Sequence, residues 1–204
     1  MPMLITDAEL QRRLIRKRRA IGADHHDEVW DGVYIVSPDP NDQHQDIVGK
    51  LYLSFELAIG SVGLGLVRPG INVSDRDEGW TRNYRCPDVA VFLNGTTARN
   101  RDSHWQGGPD FAVEVISPRD RSRRKFDFYA RVGVRELLMV DRKPWALELY
   151  RLGDGVLALV GKSTLDRPEV LTSEVLPLTF RLAAGEPRPR IEVVHADGLQ
   201  RWSA

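Results

Sequence analysis

One cysteine, Cys86, leaves no partner for an internal disulfide, so no covalent staple holds this chain. The lone thiol fits a reducing cytoplasm. No apolar run is long enough to cross a bilayer, and no apolar segment follows the early charges as a signal peptide requires. There is no excess of either charge: 29 basic and 29 acidic residues give a formal net charge of zero. A protein that grips nucleic acid through its phosphates is usually more basic, so any such contact must use a local patch. Internal repeats and low-complexity tracts are missing as well. What remains is a chain of 204 residues, 42% apolar and 28% charged, which suits one globular domain with a full core.

The coarse pattern is legible along most of the chain. In "TDAELQRRLIRKRRAIG", Thr6 followed by Glu9 reads as a capping box. Leu10, Leu14 and Ile15 then share one face of a helix ending near Gly22. Its basic residues, Arg12 to Arg19, form either a solvated face or a phosphate-contacting patch. Asp31-Gly32 between two β-prone runs signals a hairpin. Ile47, Val48, Leu51, Phe55, Leu57 and Ala58 recur at helical spacing, with Gly60 and Gly63 as terminators. Short strands are expected on either side of Pro69-Gly70. "PDVAVFLN" and "PDFAVEVIS" read as further strands, and "PRDRSRRKFDFYARVG" as a helix closed by Gly133. "RELLMVDR" and "ALELYRL" read as strands around a Lys143-Pro144 turn, and "GVLALVGK" extends that meander. Beyond Leu171 the prolines blur the pattern, and "RIEVV" is a last short strand. This order predicts an α+β (mixed α/β) fold, a sheet flanked by helices.

Glu114 is the residue that needs explaining, because it stands inside the apolar run "FAVEVIS". Val113 and Val115 flank it, so its side chain points to the opposite sheet face. A buried carboxylate is costly unless paired. Asp88 opens the "PDVAVF" strand, and Asp110 opens the strand of Glu114. If those strands pair, Asp88 and Glu114 converge at one end of the sheet, where two carboxylates repel. A hard divalent cation resolves the conflict, since Mg²⁺ takes one or two carboxylates with water and phosphate oxygens. The bland alternatives are a turn-forming Asp and a Glu held by a structural Arg or Lys. Lys125, on the following helix and four residues before Tyr129, returns toward the strand end. Alternatively it belongs to a solvated basic run, Arg119 to Arg131. Glu28, before the hairpin, and His44, in the first turn of the next helix, are further candidates. Glu28 also reads as an exposed strand residue. His25, His26, His104 and His195 read as surface histidines.

The chain resembles the Uma2 family of restriction-endonuclease-like proteins, within the PD-(D/E)XK nuclease superfamily. The matching stretches are "EVWDGVYIVSP", "HQDIVGKLYLSF", "CPDVAVF", "GGPDFAVEVISP", "KFDFYARVGVRELLMVD" and "ALELYRL". They run in the family's order from Asp27 to Leu152, 126 of the 204 residues. The resemblance implies a restriction-endonuclease-like central mixed sheet flanked by helices and a Mg²⁺- or Mn²⁺-dependent phosphodiesterase site. In it Asp88 and Glu114 are the metal ligands, Glu28 is the early glutamate, Lys125 the lysine of the following helix, and His44 a recurring histidine of undefined role. The superfamily's lysine normally stands two residues after the glutamate. Ile116 occupies that place here, and the resemblance moves the function to Lys125. Leu137-Leu138 replace an aromatic pair of the family, a change that reads as a core substitution.

A single domain is therefore expected, with an N-terminal helical segment over 1–26, a nuclease-like core over 27–152 and a strand-rich extension over 153–204. Nucleic acid is the expected partner, DNA before RNA, with a homodimer favoured by the resemblance and no membrane contact. The Arg12–Arg19 and Arg119–Arg124 segments are candidate walls of a basic groove. Two rivals stand beside the nuclease: a catalytically inactive module that binds or regulates, and a metal-dependent hydrolase of another substrate.

Overall fold

The computed structural model describes residues 3–37, 39–117 and 121–204. The central sheet, among these residues, comprises β1 (Gly65–Pro69), β2 (Val89–Leu93), β3 (Phe111–Val115), β4 (Glu136–Arg142), β5 (Trp145–Gly153) and β6 (Val156–Thr164). They lie side by side in the order β6-β5-β4-β3-β2-β1. Only β3 and β4 are parallel, in the register Phe111↔Glu136 to Val115↔Val140. Every other neighbouring pair is antiparallel. A parallel pair needs a crossover, and this one carries a 3-10 turn at Ser122–Lys125 and then the short helix Phe126–Val132.

Of the three α-helices among the described residues, two lie on opposite faces of the sheet, and the N-terminal one packs against the hairpin instead. The N-terminal helix α1 spans Ala8–Ala20, α2 spans Asp42–Phe55, and the crossover helix is α3. Ile47, Leu51 and Phe55 of α2 pack with Phe111, Val113 and Val115 of β3 and with Leu138 and Val140 of β4. Phe128 and Tyr129 of α3 pack with Ala112, Leu137 and Met139 on the other face. With both faces covered, β3 is buried along its whole length, and that is why its sequence reads as a near-continuous apolar run. Each of the large side chains buried there contributes about 1.5–3 kcal/mol. Leu137 and Leu138 are fully buried, so the pair does belong to the core.

Several expectations hold and a few shift. Asp31 and Gly32 both have positive φ, 47° and 87°, the backbone of a type I′ hairpin turn, and they join strands Glu28–Trp30 and Val33–Val36. α2 begins at Asp42 and runs into one π-helical turn, Glu56–Gly60. The expected capping box does not form: Asp7, not Thr6, caps α1, accepting from the Leu10 amide at 2.7 Å. An Asp side chain is the better local competitor for a free amide at that position. The expected start of the crossover helix at Pro118, and Arg119 in the basic run, lie outside the described residues. From Ser122 the segment runs as a 3-10 turn into α3, which closes at Gly133 with φ 86°, the left-handed cap that favours glycine.

The region from Leu171 onward is more regular than its prolines suggest. Strands Leu171–Thr172, Leu178–Ala183, Arg190–His195 and Arg201–Ser203 form an antiparallel sheet. Its Leu178, Phe180, Leu182, Ile191 and Val193 join the α2 side of the core. A third sheet of short strands places the hairpin next to Tyr84–Arg85, and so brings Glu28 toward the segment that leads to Asp88.

Candidate active site

Glu114 points away from the α2 side of the sheet, as the alternation along β3 predicts, and meets the crossover. The Lys125 ammonium donates to both of its oxygens, at 2.9 Å to Oε1 and 3.0 Å to Oε2. The Ser122 hydroxyl donates to Oε2 at 3.1 Å, and the Tyr129 hydroxyl donates to Oε1. Ser122, Lys125 and Tyr129 recur at intervals of three and four, so one face of the turn-helix unit presents all three donors. Lys125 is only 8% exposed, which overturns the reading of it as part of a solvated run.

Glu28 enters from the hairpin strand. Its Oε1 lies 2.8 Å from Lys125 Nζ and accepts the Cys86 amide at 2.8 Å, while Oε2 accepts the Trp30 indole at 2.6 Å. It is 3% exposed, so the exposed-strand reading of Glu28 is corrected as well. A strand residue that turns inward here is the one whose carboxylate completes the pairing of a buried lysine.

Asp88 sits just before β2 and is tied to β3 on both sides of Glu114. Its amide donates to Val113 O at 3.0 Å, and its Oδ2 accepts the Val115 amide at 2.7 Å. His44 Nε2 approaches the same oxygen at 3.3 Å. His44 reaches it from the first turn of α2, where the helix cap Asn41 accepts the His44 amide at 3.1 Å. The His44 ring is buried, and among the described residues its Nδ1 has no hydrogen-bond partner. The structure thus joins Glu28, Glu114 and Lys125 directly, and His44 with Asp88. His104, expected at the surface, is buried at 1% exposure and stacked on Trp80, because the short-strand sheet closes over it.

The electrostatics follow from burial. Desolvation pushes the Glu114 carboxyl up, to about 8. Lys125 opposes the shift, Asp88 and Glu28 add to it, and the Tyr129 hydrogen bond opposes it. Burial and the neighbouring carboxylates likewise raise the Tyr129 hydroxyl far above its usual range. The Cys86 thiol is raised too, by burial first and then by the Glu28 charge.

Of the carboxylates here, Asp88 alone keeps an oxygen without a hydrogen bond from a described residue. Among the described residues no three His, Cys, Asp or Glu side chains surround one point, but Mg²⁺ needs only one or two protein carboxylates. Asp88 Oδ2 is fixed by Val115, no hydrogen bond from a described residue reaches Oδ1, and the side chain stays 19% exposed. Asp88 is a hard oxygen donor of the kind such an ion takes, whereas both Glu114 oxygens already accept hydrogen bonds from Lys125, Ser122 and Tyr129.

The expected basic walls are partly spent on structure. Arg18 pairs with the buried Asp27 at 2.5 Å, tying α1 to the hairpin next to Glu28. Arg123 pairs with Glu148 at 2.7 Å. Burial would raise the Glu148 carboxyl, but hydrogen bonds from Arg123, Lys162 and Tyr150 hold it down at about 2. Arg12, Arg13, Arg16, Lys17, Arg19 and Arg124 remain exposed.

Three contributors were missed in the sequence: Ser122, Trp30 and the Cys86 amide. The first two carried a signal. Trp30 lies two residues after Glu28 and therefore on its strand face, and Ser122 lies one turn before Lys125.

The family model for Uma2, described as "Putative restriction endonuclease", matches residues 10–185. The chain belongs to the Uma2 family. Among solved structures it is similar to a putative nuclease belonging to DUF820 from Anabaena variabilis, with a TM-score of 0.56 and 16% identity over 72% of this chain and 80% of that one. That likeness shows the restriction-endonuclease-like α+β fold. No curated protein matches the chain. Among the described residues no helix is long and apolar enough to cross a membrane.

Proposed function

We propose that this Uma2 protein is a metal-dependent nuclease that hydrolyses phosphodiester bonds, with Asp88 and Glu114 holding Mg²⁺ or Mn²⁺. One observation carries the reading: the Lys125 ammonium lies 2.9 Å from Glu114 Oε1, delivered by the crossover, while Ile116 fills the strand position where the superfamily keeps its lysine. A bound ion would supply an activated water and offset charge on the phosphate. The chain's own groups do the rest. Glu114 and Glu28 share Lys125 and fix its ammonium in a dry site, where a cation offsets developing negative charge best. Val115 and His44 orient Asp88, leaving Oδ1 for the metal. The substrate in this reading is nucleic acid, DNA before RNA, and the working unit is a cytoplasmic homodimer.

The test is cleavage of single- and double-stranded DNA and RNA with Mg²⁺ and with Mn²⁺, the Asp88→Asn protein alongside. Cleavage by the wild type and none by the variant is the expected result. Equal activity in both sinks the assignment.

A second reading, an inactive scaffold that binds or regulates, is favoured by the same pair. Lys125 already satisfies Glu114 without any cation. In that case Mg²⁺ leaves the melting temperature unchanged.

A further inference from the structure

Beside the site stands a buried cation that the mechanism above does not use. Arg85 is 3% exposed, and no described carboxylate forms an ion pair with it. Its Nη1 donates to Val29 O at 2.9 Å, Asn83 Oδ1 at 3.0 Å and Tyr84 O at 3.1 Å, and its Nε has no partner among the described residues. Burying a guanidinium is costly, and the Glu28 charge offsets that cost only from beyond ion-pair distance. Two rings add to the compensation. The guanidinium carbon lies 4.9 Å from the centre of the Trp30 ring and 4.2 Å from that of Phe128, within the range of a desolvated cation–π contact.

Those rings belong to the site's two flanks. Trp30 donates its indole N–H to Glu28, which in turn holds Lys125. Phe128 lies on α3 beside Tyr129, which donates to Glu114. The guanidinium thus touches both flanks, the hairpin through Trp30 and the crossover helix through Phe128. We propose that Arg85 is a positioning residue: clamped between Trp30 and Phe128, it holds the indole on Glu28 and so fixes the Glu28 carboxylate on Lys125. The kinetic part rests on the nuclease reading and the structural part does not.

The experiment pairs a spectroscopic readout with a kinetic one. In ¹⁵N-labelled protein the Trp30→Phe variant removes one of five indole resonances and thereby assigns it. Glu28→Gln replaces the charged acceptor by a neutral one and moves that resonance upfield. Arg85→Met is expected to move it in the same direction while the remaining spectrum keeps its dispersion. If Arg85→Met does not fold, Arg85→Lys takes its place, because an ammonium keeps the charge but cannot lie flat between two rings. An unmoved resonance in the folded variant overturns the proposal. In cleavage assays Arg85→Met and Trp30→Phe should each lower kcat about 10-fold with KM unchanged, a loss typical of partners that orient a site's ligands. The double variant should be no slower than either single one, because both act through one hydrogen bond. Additive losses overturn it. A wild type that cleaves nothing with either metal refutes the nuclease reading and leaves the indole result to decide on Arg85.

Discussion

Lys125 and Glu114, one on the crossover and one on β3, meet through a two-oxygen contact in which Nζ is 2.9 Å from Oε1 and 3.0 Å from Oε2. Both side chains are nearly inaccessible, so the pair dominates the electrostatics of the site.

Removing the cation should be costly. Lys125→Met leaves Glu114 and Glu28 facing each other in a buried site, and stability should fall by about 3–5 kcal/mol at pH 8. At pH 5 the loss should shrink, since a protonated Glu114 needs no cation. Urea unfolding at the two pH values checks both statements, and a pH-independent loss would contradict the burial of the charge.

Glu114→Gln should show the opposite dependence. The folded-state value of Glu114 is raised, from an ordinary 4.5 to about 8. Its contribution to stability is therefore fully present below the unfolded value and is lost as pH rises through the folded one. In EDTA the wild type should lose stability relative to Glu114→Gln between those two pH values. Lys125 keeps Glu28 as a partner in the variant, so no charge is stranded. Melting curves across that window measure the difference.

Asp88→Asn tests the metal directly. Wild-type melting temperature should climb with Mg²⁺ concentration, because a ligand of the native state stabilises by mass action. The variant keeps its shape at the Val115 amide but should lose the response, and cleavage should drop at least about 100-fold. An identical Mg²⁺ response in both proteins would remove Asp88 from the ligand set.

His44→Gln should leave the fold intact and weaken Mg²⁺ about 10-fold, since His44 orients Asp88 through its contact with Oδ2. Calorimetric titration gives the affinity. An unchanged value would make His44 a packing residue.

The sequence was most informative where period and punctuation agreed. Alternation in β3 placed Glu114 on the face it occupies, and Asp31-Gly32 and Gly133 marked a turn and a helix end that both use positive φ. The resemblance supplied Glu28, Asp88, Lys125 and His44 as a group. What stayed hidden depends on contacts far apart in the chain. Burial of Glu28 is set by Cys86, 58 residues away, and nothing local distinguishes it from an exposed glutamate. Arg85 looks like any surface arginine until two aromatic rings close on it. The sheet after Leu171 was obscured because its prolines fall between strands and not within them.

The parallel pairing of β3 and β4 has a topological price. Two strands that run the same way cannot be joined by a tight turn, so the chain must travel back along the sheet between Val115 and Glu136. That obligatory return is the segment that carries Ser122, Lys125 and Tyr129. The connector and the supplier of the site's only direct cation for Glu114 among the described residues are one piece of chain. Shortening the connection cannot be separated from disarming the site.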